Sequence, residues 1–180
     1  MVLNILNLFI KTDDQLISRS NRSLTREENF ENDQSIEAMW VVKAVEHAEI
    51  YFNILCSVDP KLLRLTPHDD KIYKTFREFF PDIKVDFINE DELKSEAGKQ
   101  KWRPFCEQFK YSVEDYSFGT LLRSDCNDDY LEENSILTTR IQFYAIELAR
   151  NREGFNDQLR QKFRINNKTN LTNNHDIKTY

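Results

Sequence analysis

His47-Ala48-Glu49 is the place where this 180-residue chain comes closest to spelling a catalytic signature. A His two residues before a Glu opens the zinc deaminase pattern, where the His holds the metal and the Glu moves the proton of the bound water. The second half of that pattern, PCxxC, is missing. His47 therefore reads as a histidine on a helix flank with a hydrogen-bond partner, and His68 and His175 stand alone. Carboxylates are plentiful: Glu114 with Asp115, then Asp125, Asp128, Asp129, Glu132 and Glu133. A carboxylate pair can act as acid and base, but a run of this kind reads as a solvated loop. It lacks the twelve-residue calcium-loop pattern. The three glycines, Gly98, Gly119 and Gly154, lie far apart. The chain thus has no P-loop and no Gly-rich turn of the kind that admits a dinucleotide or S-adenosylmethionine. It has no GxSxG elbow either. The expectation is no catalytic residue, no metal and no cofactor, hence a protein that is not an enzyme.

Arginines are the more informative residues. Arg150-Asn151-Arg152-Glu153-Gly154 falls at an expected helix C-terminus, where cations suit the helix dipole. The dipole does not require two arginines around an Asn, so Arg150 and Arg152 are candidates for contact with a partner. Arg123 and Arg140 sit among apolar residues, where an unpaired charge is costly. At least one of the two is expected to form a partly buried carboxylate pair that holds a sheet to the last helix. Glu114, Asp115 and Asp125 are the nearby acids for Arg123, and Glu132 and Glu133 for Arg140.

Several elements must position these side chains. Trp40, Ala44, Ala48, Tyr51 and Leu55 recur at helical spacing within Gln34 to Val58, with Val41, Val45 and Phe52 widening the face. Ser35 or Asp33 would cap that helix. Thr66-Pro67 predicts the start of a second helix, with Ile72, Tyr73, Phe76, Phe79 and Phe80 as its apolar face and Pro81 as its stop. Ile83-Lys84-Val85-Asp86-Phe87 alternates like a half-buried strand. Asn89 predicts the cap of a third helix, continued past Gly98 through Trp102, Phe105 and Phe109, with a break near Pro104. Val113 to Asp125 reads as strand, turn at Gly119, strand. Ile136 to Thr138 reads as a short strand, and Thr139 to Gly154 as the final helix, with strand as the rival over 139 to 145. The sum is an α+β fold: a helix-dominated single domain packed on a small, mostly antiparallel sheet.

Residues 1–33 read as a flexible leader, 34–157 as the globular domain and 158–180 as a disordered Asn/Lys-rich tail. The apolar opening MVLNILNLFI lacks a preceding basic segment and a small-residue cleavage site, and is too short to span a bilayer. Cys56, Cys106 and Cys126 form no spaced pair, so free thiols and a reducing, cytoplasmic setting are expected. Net charge is −6, but from Asp33 to Asp157 there are 25 acids against 16 bases, a balance of −9. Such a surface disfavours nucleic acid and suits a basic protein.

Five ordered strings add a resemblance. They are Val58-Asp59-Pro60, Leu93-Lys94-Ser95-Glu96, KWRPFC from Lys101 to Cys106, VEDYSFGTLLRSDC from Val113 to Cys126, and RIQFYAIELARNREG from Arg140 to Gly154. Together they resemble the polysaccharide biosynthesis domain-containing protein family over about Ser35 to Asn156. The broader grouping behind that name includes xylan-modifying methyltransferase relatives, whose Gly-rich cofactor loop this chain lacks. The resemblance to the small eukaryotic members implies a non-enzymatic cytosolic chaperone. Its client would be newly made translation elongation factor 1-alpha, engaged through the GTP-binding domain, with ribosome-associated factors as further partners and no membrane or nucleic acid. Trp102, Arg103 and Phe105, then Arg150 and Arg152, are the residues expected at the partner surface, with core packing as the rival reading for Trp102 and Phe105 and a structural role as the rival for Arg150 and Arg152. An enzyme or cofactor-binding domain of polysaccharide metabolism, or a protein-interaction adaptor, are the alternatives.

Overall fold

Buried Val41, Ala44, Val45, Ala48, Tyr51, Phe52 and Leu55 recur at three- and four-residue steps, which only a helix can gather on one side. They form the inner face of α1, Gln34–Ser57. The structure is a computed structural model that describes residues 34–162. The leader expected over residues 1–33, and the tail from 163 onward, fall outside the described residues, as do the side chains of the caps proposed for α1.

Asp59 ends the first connection by accepting the Lys61 backbone N–H at 3.0 Å, opening a short 3-10 turn at Pro60–Leu62. The second helix, α2, spans Asp69–Phe79, two residues later than Thr66-Pro67 led one to expect. The reason is Asp69, which is 2% exposed and accepts the backbone N–H groups of Leu65 and Thr66 at 2.9 and 2.7 Å. Those bonds hold 65–68 in a loop. Asn89 then caps α3, Glu90–Lys94, and Ser95 caps α4, Glu96–Glu107. At this corner a Cβ on Gly98 would lie 2.3 Å from the Glu92 carbonyl, so only glycine fits. Pro104 stays inside α4 instead of breaking it. Trp102 and Phe105, both buried, anchor the helix on either side of the proline.

The sheet has two strands. β1, Gly119–Arg123, pairs antiparallel with β2, Ser135–Thr139, so that Leu121 faces Leu137. Residues 113–118, expected to be strand, form turns, with Phe118 N–H bonded to the Asp115 carbonyl at 2.8 Å. The segment 83–87 is not a strand either. It makes a single bridge, Phe87 to Asp125. Two of its carbonyls accept from arginine side chains, Ile83 from Arg77 at 3.0 Å and Val85 from Arg150 at 2.6 Å, while Asp86 accepts the Cys126 backbone N–H at 2.9 Å.

The last helix of the core is α5, Arg140–Glu153. It contacts both strands and α2, while α1 lies against β1. The result is a helix-dominated α+β domain on a two-stranded antiparallel sheet. After Gly154 the chain is helical again at 157–162, and Leu159 is 1% exposed. Packing therefore continues beyond Asp157, into what the sequence suggested was tail.

Candidate functional site

The core has a charged centre, built on α5. Thr139 and Gln142 close a reciprocal capping box at its start, and Gly154 ends it with φ 86°, a conformation that favours glycine. Between these caps most of the helix is buried, including Glu147 and Arg150, both with fully buried side chains. At i, i+3 they share a face. Arg150 Nη1 donates to Glu147 Oε1 at 2.8 Å. Its remaining donors reach backbone carbonyls: Nε to Val85, Nη1 also to Arg123 at 2.9 Å, and Nη2 to Ser124 at 3.0 Å. Arg123, also fully buried, comes from the end of β1. Its Nη2 donates to Glu147 Oε2 at 3.2 Å and to Asn156 Oδ1 at 2.9 Å, while Nη1 donates to the Cys126 carbonyl at 2.8 Å. Tyr51 of α1 donates its hydroxyl to Glu147 Oε2 at 2.9 Å, and Asn156 donates to the same oxygen at 3.0 Å.

Burial alone would raise the Glu147 carboxyl pKa, but the charges of Arg123 and Arg150 hold it well below the usual carboxylate range. Burial raises the Tyr51 hydroxyl, and the nearby Glu147 charge adds to that. Two guanidinium groups face one carboxylate. The excess positive charge meets carbonyl dipoles at residues 85, 123, 124 and 126, and the rings of Phe52 and Tyr130, 5.7 and 5.8 Å from the Arg123 guanidinium. With both carboxylate oxygens bonded and no exposure to solvent, Glu147 is placed to hold elements together, not to react.

Arg123 thus does join sheet to last helix, but through Glu147, not through Glu114, Asp115 or Asp125. Sequence reasoning missed Glu147. Its signal was present: a lone acid inside the apolar run Ala145-Ile146-Leu148-Ala149, three residues before Arg150. Arg140 is half-buried, donates to Asp115 at 3.4 Å and lies 4.8 Å from the Phe118 ring, away from the expected Glu132 and Glu133. His47 packs edge-on against Phe143, with ring centroids 5.3 Å apart. A hydrogen-bond partner was expected for this histidine, and its Nδ1 has none among the described residues. Burial, and then the Arg140 charge, lower its pKa.

The residues expected at a partner surface divide. Trp102 and Phe105 are 4% and 0% exposed and belong to an aromatic cluster with Phe76, Phe80 and Phe109. Arg150 is the centre just described. These three are core residues, because the faces of α4 and α5 that carry them point inward. Arg103 is exposed. Arg152 reaches the surface, where it pairs with Asp70 at 2.7 Å over the Tyr73 ring. Beside it Arg77 grips Glu153 through two bonds, at 2.7 and 2.6 Å. An open groove of about 520 Å³ runs past this pair, lined also by Asp82, Lys84, Asp86 and Phe155. Among the described residues no group of acids, cysteines and histidines could hold a metal ion, and no helix is long and apolar enough to cross a membrane.

The family model described as "PBDC1 protein" matches residues 36–161. The chain belongs to the PBDC1 family. It is 55% identical over 129 residues to mouse Protein PBDC1, covering 72% of this chain and 65% of the relative. With human Protein PBDC1 it shares 49% over 142 residues, 79% of this chain and 61% of the relative. The chain therefore spans less than two thirds of those mammalian proteins. A Schizosaccharomyces pombe PBDC1 homolog is 45% identical over 138 residues, 74% of this chain and 94% of its own length. The solution NMR structure of protein yst0336 from Saccharomyces cerevisiae superposes with a TM-score of 0.68 at 41% identity, over 77% of this chain and 97% of that one. Three of the strings that first suggested the family carry elements of the core. RIQFYAIELARNREG covers α5, VEDYSFGTLLRSDC contains β1 with the buried Arg123, and KWRPFC is the aromatic half of α4.

Proposed function

We propose that this protein is a non-enzymatic cytosolic chaperone for newly synthesised translation elongation factor 1-alpha, engaging the factor's GTP-binding domain, with ribosome-associated factors as further partners. The resemblance of the chain to the small eukaryotic members of its family carries this reading. Charge supports it physically: 25 acids against 16 bases between Asp33 and Asp157 favour encounter with a basic protein client. Large apolar side chains left exposed on a folded domain, Ile50, Leu62, Phe87 and Tyr111 among them, suit transient contact with an incompletely folded chain.

The test is capture of ribosome-bound nascent chains from cells translating the factor. Nascent elongation factor 1-alpha should be enriched over other nascent chains, and its aggregation should rise when the protein is removed. Equal recovery of all nascent chains, with aggregation unchanged, overturns the proposal.

A further inference from the structure

The outward side of α1 carries an apolar ridge that the core does not use. Val42, Glu46, Ile50 and Ile54 follow one another at four-residue steps, Val58 continues the row just past the end of α1, and all five are exposed, Ile50 by 61%. Met39, 60% exposed, extends the apolar surface at the start of the helix. Rows of i, i+4 side chains are the ridges that interdigitate when two helices pack. At 100° per residue, Glu49 flanks this row on one side and Lys43 on the other. Glu46 stands in the row itself. Neither acid has an ion-pair partner among the described residues.

We infer that this ridge is a docking surface for an amphipathic helix whose apolar row is flanked by lysine or arginine. The inference rests on the chaperone reading and names the part of the client that is held. Its size suits one helix. Val42 to Val58 spans about 24 Å at a helix width of about 10 Å. That footprint falls well short of the ~800 Å² per partner of a stable interface, as a client that is later released requires. Charge selects among occupants. A second copy docking through the same ridge would bring Glu46, Glu49 and Lys43 from both copies into one interface, an excess of like negative charge. The chain's own apolar opening, Met1 to Ile10, contains no basic side chain to meet them. A basic amphipathic helix satisfies both the ridge and the acids.

Two probes separate this inference from the functional reading: ribosome-arrested nascent chains of elongation factor 1-alpha, and a synthetic helix with leucines at i, i+4 flanked by lysines. A photoreactive benzoylphenylalanine at position 50 of the full chain should crosslink to both. Ile54→Asp, at an exposed position, should weaken both interactions at least tenfold without moving the thermal midpoint. The pair Glu46→Lys and Glu49→Lys should weaken binding of the lysine-flanked helix and strengthen binding of a glutamate-flanked version. Crosslinking of position 50 to a second copy or to residues 1–33 overturns the inference. So does capture of the nascent factor that is unchanged by Ile54→Asp. Binding of the synthetic helix at position 50 without capture of the factor upholds the surface and overturns the proposed client.

Discussion

Two halves of one core solve the burial problem in opposite ways. Around α2 and α4 the interior is aromatic. Phe80 stacks on Trp102 with centroids 4.3 Å apart, Trp102 meets Phe105 edge-on at 5.5 Å, and Phe105 meets Phe109 at 5.2 Å. Around α5 and the end of β1 the interior is ionic, with Arg123, Glu147 and Arg150 all fully buried. The difference follows what each half must hold. The aromatic half joins helices, whose backbone groups are already satisfied. The ionic half joins segments 83–88 and 123–128, which share a single bridge, Phe87 to Asp125, and whose Val85, Arg123, Ser124 and Cys126 carbonyls accept from guanidinium groups. Apolar packing sets how close two helices lie. The arginines set where each loop carbonyl lies.

The largest effect expected from breaking this contrast is at Glu147. Glu147→Gln leaves two buried guanidinium groups without a counter-charge and should cost ~3–5 kcal/mol in urea-unfolding stability. Replacing Arg123, Glu147 and Arg150 together by Met, Leu and Met should not restore it, since the carbonyls of Val85, Arg123, Ser124 and Cys126 would then lose side-chain donors. Full recovery in the triple variant would show that loop wiring is not the role of this centre.

Acid should separate the halves next. The folded-state value of Glu147 is depressed from 4.5 to about 2, so its contribution is present above the unfolded value and lost as pH falls through the folded one. The thermal midpoint should drop between about pH 4.5 and pH 2. That component should be missing from Glu147→Gln. An identical acid profile in the variant would remove Glu147 as its source.

Smaller and graded effects are expected in the aromatic half. Phe105→Leu keeps the site apolar but loses ring contacts, and should cost about 1–2 kcal/mol with a retained cooperative transition. A loss as large as that of Glu147→Gln would erase the distinction between the two halves. The smallest effect is expected at Arg152→Ala, whose partner Asp70 has a side chain 81% exposed. An exposed pair of this kind contributes roughly 0–1 kcal/mol, so unfolding should shift by less than about 1 kcal/mol. A larger shift would place Arg152 with the ionic centre instead of the surface.

Local pattern determined much of this molecule. Helical spacing in Trp40 to Leu55, the Asn89 cap, the Ile136 to Thr138 strand and the Thr139 to Gly154 helix are all legible because each depends on neighbours a few residues away. So is the α+β class that their sum implies. That Arg123 or Arg140 would be buried with a carboxylate was legible too, because both sit beside apolar residues. The partner of Arg123 was not. Glu147 lies 24 residues away on another element, and the acids nearest in sequence are the wrong ones. Alternation over 83–87 misled for the same reason. A strand needs a ladder of partners, and in the folded chain this segment has a single bridge, Phe87 to Asp125, while Arg77 and Arg150 side chains meet the Ile83 and Val85 carbonyls. Trp102, Phe105 and Arg150 have the composition of a binding surface, and side-chain type alone does not say which way a helix faces. Sequence determines which residues seek burial and which backbone stretches coil into helices. The tertiary structure decides which charge meets which, because ion pairing and loop carbonyl capping depend on distances that exist only after the helices have packed.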